Sequence, residues 1–235
     1  MNRRAIVSLS AVLAVAALAY EIGAGQRGKA PEGSTRGREA ATFDALRKQR
    51  EARFEAETSL ADIVMLGDSL TQFGHWAELL PGIVANHGIG GDTSKGVLNR
   101  LGEVLRLNPR VVCLLVGTND LLLGRGVDEI SQTVSSIIYS LQEHHISVVL
   151  TSVPFVRADF PIRINGEVTR LNQSLRTLTL YQRTDFIDLN AVTADNGELA
   201  REDTVDGVHL SNKAYEKWAA ALRPVLDHLA EASRN

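Results

Sequence analysis

The sequence has 235 residues, of which 44% are hydrophobic and 23% charged, a composition that suits one folded domain with short appendages. Its 25 basic and 28 acidic residues give a net charge of -3, so the strong positive charge of a dedicated nucleic-acid-binding protein is missing and no nucleic-acid partner is expected. The single cysteine, Cys113, excludes an internal disulfide framework and a cluster of thiolate metal ligands, and we expect it to fill the core.

The first 41 residues differ in composition from the rest. Arg3 and Arg4 precede an uncharged run over residues 5–20, which is typical of an export signal. Ala17 and Ala19 are small residues of the kind that signal peptidase prefers at its cleavage site. The uncharged run is also shorter than the about 20 apolar residues that a membrane-spanning helix usually needs. Residues 1–23 are therefore predicted to be a cleaved signal peptide or an uncleaved membrane anchor. Either way the protein is exported, and it is periplasmic, secreted or tethered to the inner membrane.

Residues 24–41 are rich in Gly, Arg and Ser, a composition that cannot build a core. They are predicted to be a flexible linker, followed by one domain over residues 42–235.

Within that domain, short apolar runs alternate with stretches of helical period, the pattern of an α/β domain. The runs predicted to be buried strands are residues 62–66, 83–86, 110–116, 146–152 and 185–189. The stretches predicted to be helices are a charged surface helix over 43–57, then 97–105, 130–141, 168–178 and 215–229, the last kinked or restarted at Pro224. Strands separated by helices pair in parallel, so a five-stranded parallel sheet is predicted.

Residues with useful chemistry follow the predicted strands, where ligands bind in an open parallel sheet. Ser69 follows the first strand and is a candidate nucleophile. Gly91, in a glycine-dense turn after the second strand, and Asn119, after the third, are candidate donors to an oxyanion. Asp206 and His209 lie in the loop before the last helix, where one turn can bring them into contact.

Together these groups can carry out acyl transfer through a covalent intermediate. A serine hydroxyl needs a base within about 2.6–3.2 Å to accept its proton, and histidine, the residue at position 209 (His209), is the side chain most often used as such a base. Asp206 would orient the imidazole and stabilise its charged form. The N–H groups of Ser69 and Gly91 and the side chain of Asn119 would hold the tetrahedral oxyanion. No cofactor and no metal is required, and we expect activity to be insensitive to chelators.

Four segments resemble, in order, the motif blocks of the GDSL, or SGNH, hydrolase superfamily of esterases and lipases. They are residues 67–71 (GDSLT), 88–93 (GIGGDT), 117–120 (GTND) and 206–209 (DGVH). The resemblance covers residues 62–221 and implies a three-layer α/β/α sandwich of flavodoxin-like topology around a five-stranded parallel sheet. The second and third segments are most similar to the branch with platelet-activating-factor acetylhydrolase catalytic subunits and bacterial lysophospholipase-like esterases, which implies esters with small or accessible acyl groups.

Two other known motifs are each incomplete at one position of this sequence. Thr71 stands where the G-x-S-x-G elbow needs its second glycine, and Thr93 replaces the last glycine of a dinucleotide-binding fingerprint. The remaining histidines show no metal-binding spacing. Asp68, Thr93 and Asp120 are expected to brace or cap the loops.

The expected function is a serine esterase acting on an O-acylated carbohydrate, a lysolipid or a short-chain ester. An acyltransferase that uses the same residues with an alcohol in place of water is the alternative, and a catalytically silent carbohydrate-binding module is a third hypothesis. The partner is a small-molecule, glycan or lipid ester, and the oligomeric state is not predicted.

Two longer loops are candidates for specificity. Residues 121–123, with Phe155 and Phe160, can line an acyl pocket, while Arg157 or Arg163 can meet a phosphate or carboxylate of the substrate. A packed loop held by salt bridges is the equally supported alternative.

Overall fold

The five predicted strands form one parallel sheet. The computed structural model describes residues 35–57 and 59–232, with the backbone alone for residues 35–41 and 43. The strands are β1 (Ile63–Gly67), β2 (Val84–Gly88), β3 (Val111–Leu115), β4 (Ser147–Thr151) and β5 (Asp185–Ile187). They pair in the order β2-β1-β3-β4-β5, which is the flavodoxin-like order, and the prediction of the sheet is confirmed.

The helices pack in two layers, one on each face of the sheet. In chain order they are α1 (Thr35–Ala56), α2 (Ser69–Gln72), α3 (Trp76–Leu79), α4 (Ser94–Asn99), α5 (Leu101–Arg106), α6 (Thr118–Leu122), α7 (Val127–Glu143), α8 (Asn165–Gln182), α9 (Asn190–Thr193) and α10 (Asn212–Ala232). Helices α4, α5, α7 and α8 cover one face, and α3 and α10 cover the other. A short antiparallel ribbon, β6 (Ala194–Asp195) and β7 (Glu198–Leu199), and a 3-10 turn (Arg201–Asp203) precede α10.

The central strands are apolar throughout because both of their faces are buried. Side chains alternate along each strand between the two faces of the sheet. Leu66 and Leu114 lie in the core beneath α4, α5, α7 and α8. Met65 and Cys113 lie in the core beneath α3 and α10. The three-layer sandwich is confirmed, and so is the expectation that Cys113 fills the core.

Two helical predictions differ from the structure in detail. The stretch 97–105 is divided into α4 and α5 at Arg100, whose buried guanidinium binds the carbonyl oxygens of Gly67 and His87. Helix α10 continues through Pro224 without a break. Proline has no backbone N–H, so one carbonyl group in the preceding turn has no donor inside the helix. Because Pro224 lies on the exposed side of the helix, water can bind this carbonyl group.

Helix α1 begins at Thr35, inside the stretch that its composition assigns to a linker, because residues 38–41 (REAA) are good helix formers. As predicted, this helix lies on the surface, since nearly all of its described side chains are exposed or half-buried, but Phe54 is buried against the domain. The predicted signal or anchor, residues 1–23, lies outside the described residues. No helix in the described ranges is long and apolar enough to cross a membrane.

Candidate active site

The predicted site residues come together at the carboxyl edge of the sheet. Ser69 starts α2 directly after β1, and Asn119 lies in α6 after β3, the neighbour of β1 in the sheet. The strand order reverses between β1 and β3, and such a switch point opens a crevice between the loops that follow the two strands. His209, in the loop before α10, reaches this crevice from the other side.

Ser69 and His209 are in hydrogen-bonding contact although 140 positions separate them. Ser69 Oγ lies 3.0 Å from His209 Nε2, and His209 Nδ1 lies 2.7 Å from Asp206 Oδ2. An ionised carboxylate has no hydrogen to donate, so Nδ1 carries the ring proton and Nε2 of the neutral ring accepts the hydroxyl hydrogen of Ser69. This is the protonation state that a general base needs before it deprotonates a serine.

Asp206 is held as an anion. Its Oδ1 accepts the backbone N–H groups of Val208 and His209 at 3.0 and 2.8 Å. Burial raises the pKa of the Asp206 carboxyl, but the hydrogen bonds from His209 and the two backbone groups outweigh it, and the pKa is below its ordinary value. The carboxylate therefore stays charged beside the imidazole.

The loop that carries Asp206 and His209 is held by hydrogen bonds within the loop and by an ion pair to α10. Thr204 and Leu210 form an antiparallel bridge, and Thr204 Oγ1 donates to the carbonyl of His209 at 2.7 Å. Buried Asp203 pairs with Lys217 of α10. The ring of Phe73 meets the imidazole of His209 edge-on, with 5.4 Å between centroids, and so forms one wall of the site.

At this edge of the sheet, the backbone N–H groups of Ser69 and Gly91 make no hydrogen bond within the described part of the chain. Ser69 occupies the first turn of α2, where N–H groups have no intrahelical partner. Gly91 has a φ of 72°, a left-handed conformation that favours glycine. The neighbouring Gly90 N–H donates to Gln72 Oε1 at 2.6 Å, which ties this turn to α2. Both N–H groups are free to bind an oxyanion.

The Asn119 amide is already engaged. Its Nδ2 donates to the carbonyl of Asp92 at 2.8 Å and lies 3.3 Å from Asp68 Oδ2. Asp68 is fully buried; burial raises the pKa of its carboxyl to about 8, and the charges of Asp92 and Asp120 act in the same direction. Asp68 is therefore mostly protonated at neutral pH, and its contact with Asn119 is weaker than one made by a carboxylate.

The residues expected to brace the loops do so. Asp68 caps α2 by accepting the N–H of Leu70 at 2.9 Å, and Thr93 caps α4 by accepting the N–H of Gly96 at 3.2 Å. Asp120 accepts both the N–H and the hydroxyl of Ser94 at 2.8 Å. These three predictions are confirmed.

Sequence analysis missed Asp92 and Arg100. Asp92 is buried directly after Gly91, and its Oδ2 accepts from Arg100 Nε at 2.7 Å. The available signal was an arginine between Val97 and Leu101, inside the apolar period of a predicted helix. A charge in such a position indicates a buried partner.

Most of the side chains predicted to line an acyl pocket belong to the core. Leu121, Leu122 and Phe160 are buried in it, so the packed-loop alternative describes them. Arg157 Nε pairs with Asp159 Oδ1 at 2.9 Å, and its backbone N–H donates to the carbonyl of Gly207 beside Asp206. Arg163 is exposed and lines, with Arg157, a surface cavity of about 310 Å³.

The described residues contain no group of three or more His, Cys, Asp or Glu side chains that could hold a metal ion. His87 is buried, and this burial, with the positive charges of Arg100 and Arg50, lowers its pKa to about 3. Its ring is therefore neutral and serves packing, as predicted.

Comparison with known proteins agrees with the fold and the motifs. The model of the GDSL-like Lipase/Acylhydrolase family matches residues 65–217. Platelet-activating factor acetylhydrolase IB subunit alpha2 of Homo sapiens is 28% identical over 182 residues, which cover 72% of this chain and 78% of that protein.

Two solved structures share the fold. A GDSL-like lipase from Bacteroides thetaiotaomicron has a TM-score of 0.66 at 24% identity, covering 79% of this chain and 98% of its own. The acetyl xylan esterase AlAXEase has a TM-score of 0.58 at 24% identity, covering 68% of this chain and 96% of its own.

Proposed function

Because this chain belongs to the GDSL-like lipase/acylhydrolase family and is a hydrolase of ester bonds, we propose that it works as a serine esterase through an acyl-enzyme on Ser69. The observation that carries the proposal is the continuous path of contacts from the Ser69 hydroxyl through His209 to Asp206. A serine beside an oriented base is the arrangement that makes this weak nucleophile reactive.

In the acylation step, Ser69 Oγ attacks the ester carbonyl while its proton passes to His209 Nε2. The imidazolium formed is stabilised by the negative charge of Asp206. The same proton is then given to the departing alcohol as the tetrahedral intermediate collapses to the acyl-enzyme.

The negative charge on the former carbonyl oxygen is bound by the N–H groups of Ser69 and Gly91 and by the Asn119 amide. Asn119 keeps its 2.8 Å bond to the carbonyl of Asp92 and turns its other hydrogen from Asp68 to the oxyanion. The longer contact, to a protonated carboxyl group, is the one that gives way.

In deacylation, His209 removes a proton from a water molecule whose oxygen attacks the acyl carbonyl. The bond between the acyl group and Ser69 Oγ then breaks, His209 returns the proton to Ser69 Oγ, and the free acid leaves. An alcohol in the place of this water would make the protein an acyltransferase. The two reactions use the same residues and differ in the acceptor.

We propose a small acyl group, such as acetyl, on a carbohydrate, a lysolipid or another accessible alcohol. The burial of Leu121 and Leu122 in the core supports this, because these side chains are not available to line a long acyl channel. Two of the similar proteins, an acetylhydrolase and an acetyl xylan esterase, are named for the acetyl group, which agrees with a small acyl group here.

The test compares p-nitrophenyl acetate, butyrate and octanoate with wild type, Ser69→Ala and the control Ser136→Ala, which changes an exposed serine of α7. We expect acetate to be the best substrate and Ser69→Ala to lose at least about 10³-fold in kcat, with Ser136→Ala unchanged. Full activity in Ser69→Ala would exclude the acyl-enzyme. Adding an acceptor alcohol and measuring free acid against new ester separates hydrolysis from transfer.

The place of action is part of the proposal. Residues 1–23 carry the composition of an export signal, so we propose that the chain is exported and either processed or held at the inner membrane. Cell fractionation and N-terminal sequencing of the recovered protein test this, and recovery from the cytoplasm with an intact N-terminus would contradict it.

A further inference from the structure

Helix α1 contacts the turn that carries Gly91, although it precedes residue 65, where the family match begins. We call residues 88–93, which run from the last residue of β2 to the start of α4, the oxyanion loop. Helix α1 packs against the start of this loop and reaches its far end.

The helix is seated on the last residues of β2. The ring of Phe54 is 3% exposed and stacks on the ring of His87, with 4.0 Å between centroids. His87 Nε2 lies 3.2 Å from Glu57 Oε2, just beyond the end of the helix. This aromatic stack and hydrogen bond fix the C-terminal end of α1 against the sheet.

One turn earlier, Arg50 binds the backbone where the oxyanion loop begins. Its Nη2 donates to the carbonyl of Asn86 at 3.1 Å, and its Nε donates to the carbonyl of Gly88. The guanidinium also lies over the Phe54 ring, 5.1 Å from its centroid. A planar guanidinium can make these contacts at once, and a lysine cannot.

Arg47 reaches the other end of the loop. Its Nη2 binds Asp92 Oδ1 at 3.0 Å, while Arg100 Nε binds Asp92 Oδ2 at 2.7 Å. Each oxygen of this buried carboxylate is therefore paired with one arginine: Oδ1 with Arg47 of α1, and Oδ2 with Arg100 of the domain. The carboxylate of Asp92 also packs closely against α4, because a Cβ placed on Gly96 would lie 2.0 Å from Asp92 Oδ1.

Asp92 is joined to two of the three donors proposed for the oxyanion. It directly follows Gly91 in the chain, and its carbonyl accepts the bond that orients the Asn119 amide. A shift of Asp92 would therefore displace the Gly91 N–H and the Asn119 Nδ2 together. Donors must be correctly placed before the charge develops if they are to stabilise the transition state.

We propose that α1 is a positioning element of the active site and that Arg47, acting through Asp92, is a positioning residue for the oxyanion donors. Arg47 itself does not touch the ester. This inference rests on the proposed function, since it concerns the donors of that same reaction.

The test uses the full chain, with p-nitrophenyl acetate as substrate and Arg47→Met as the main variant. Methionine keeps much of the aliphatic packing and removes the charge and the donors. We expect kcat to fall about 10-fold, a fraction of the roughly 10²–10³-fold that follows the loss of a whole donor. KM should stay within about 2-fold, because α1 makes no contact with substrate and the loss lies in the transition state.

Three further variants separate positioning from a general effect on folding. Arg47→Lys keeps a charge near Asp92 and should recover kcat to within about 3-fold of wild type. Lys48→Met removes an exposed charge at the next position of the same helix and should change neither kcat nor Tm. If Arg47→Met does not fold, Arg47→Gln replaces it, with an expected loss of about 3–10-fold in kcat.

The decisive measurement is a double-mutant cycle with Asp92→Asn. If Arg47 acts through Asp92, Arg47→Met lowers kcat in the wild-type background and has little further effect in Asp92→Asn. The proposal would be overturned if Arg47→Met lowered kcat equally in both backgrounds. It would also be overturned if Arg47→Met changed KM alone, or if its kcat stayed within 2-fold of wild type. Failure of the proposed function looks different, because Ser69→Ala would then keep its activity whatever stands at position 47.

Discussion

The carboxylate of Asp206 holds His209 at two points: Oδ2 accepts from the ring Nδ1 at 2.7 Å, and Oδ1 accepts from the backbone N–H of the same residue at 2.8 Å. The ring is thereby fixed in orientation and in tautomer. Its Nε2 is left as an acceptor that faces Ser69.

Asp206→Asn should keep the shape of this contact and reverse its polarity. The amide group would donate to Nδ1, which places the ring hydrogen on Nε2, where it cannot accept the Ser69 proton. We expect kcat for p-nitrophenyl acetate to fall on the order of 10³–10⁴-fold with little change in KM. Asp195→Asn, an exposed carboxylate in β6, is the control, and a loss of less than 10-fold in Asp206→Asn would contradict the assigned role of Asp206.

Asn119→Ala should remove one oxyanion donor and lower kcat by about 10²–10³-fold. Asn172→Ala is a matched control, because the side chain of Asn172 in α8 also makes two hydrogen bonds, both with the backbone of Val153 at 2.8 Å, but lies outside the site. We expect both variants to lower Tm and the Asn119 variant alone to lower kcat. Similar kcat values for the two would assign Asn119 a structural role.

Asp68 should make stability depend on pH. Because its pKa is raised from 3.8 to about 8, the folded protein holds a proton that the unfolded chain releases over that range. The contribution of Asp68 to the stability of the wild type therefore falls as pH rises from about 4 towards 8 and levels off above it. Asp68→Asn cannot titrate, so its Tm relative to wild type should rise by on the order of 5 °C between pH 5 and pH 8.

Thermal unfolding across this pH range measures the effect of Asp68→Asn. Asp227→Asn, which changes an exposed carboxylate of α10, should show no such trend. A constant difference between Asp68→Asn and wild type would mean that Asp68 does not titrate between these pH values.

Gly88 should not tolerate a side chain. A Cβ at this position would lie 2.2 Å from the backbone nitrogen of Gln72, where α2 packs on the end of β2. We expect Gly88→Ala to destabilise the fold by about 1–3 kcal/mol in urea denaturation. Gly102→Ala, in open space on α5, should be neutral or stabilising by up to about 1 kcal/mol, and equal effects of the two changes would contradict the packing argument.

The sequence alone determined the sheet, its parallel pairing and the order of the site segments. This was possible because the central strands are short runs buried on both faces, as in residues 111–115, and helices such as α7 and α10 show a single apolar face. Ser69 and Asn119 could be chosen as candidates because the carboxyl ends of parallel strands meet at one edge, and His209 because one turn can bring it into contact with Asp206.

The tertiary structure decided how the loops around that edge are held. Arg47 and Arg100 both pair with the buried carboxylate of Asp92, and the residues of one pair lie up to 45 positions apart, on elements with no shared periodic pattern. The raised pKa of Asp68 likewise depends on neighbours that only folding brings close. Apolar burial repeats along the chain and is visible in the sequence, whereas paired charges and desolvation depend on distances that exist only once the chain has folded.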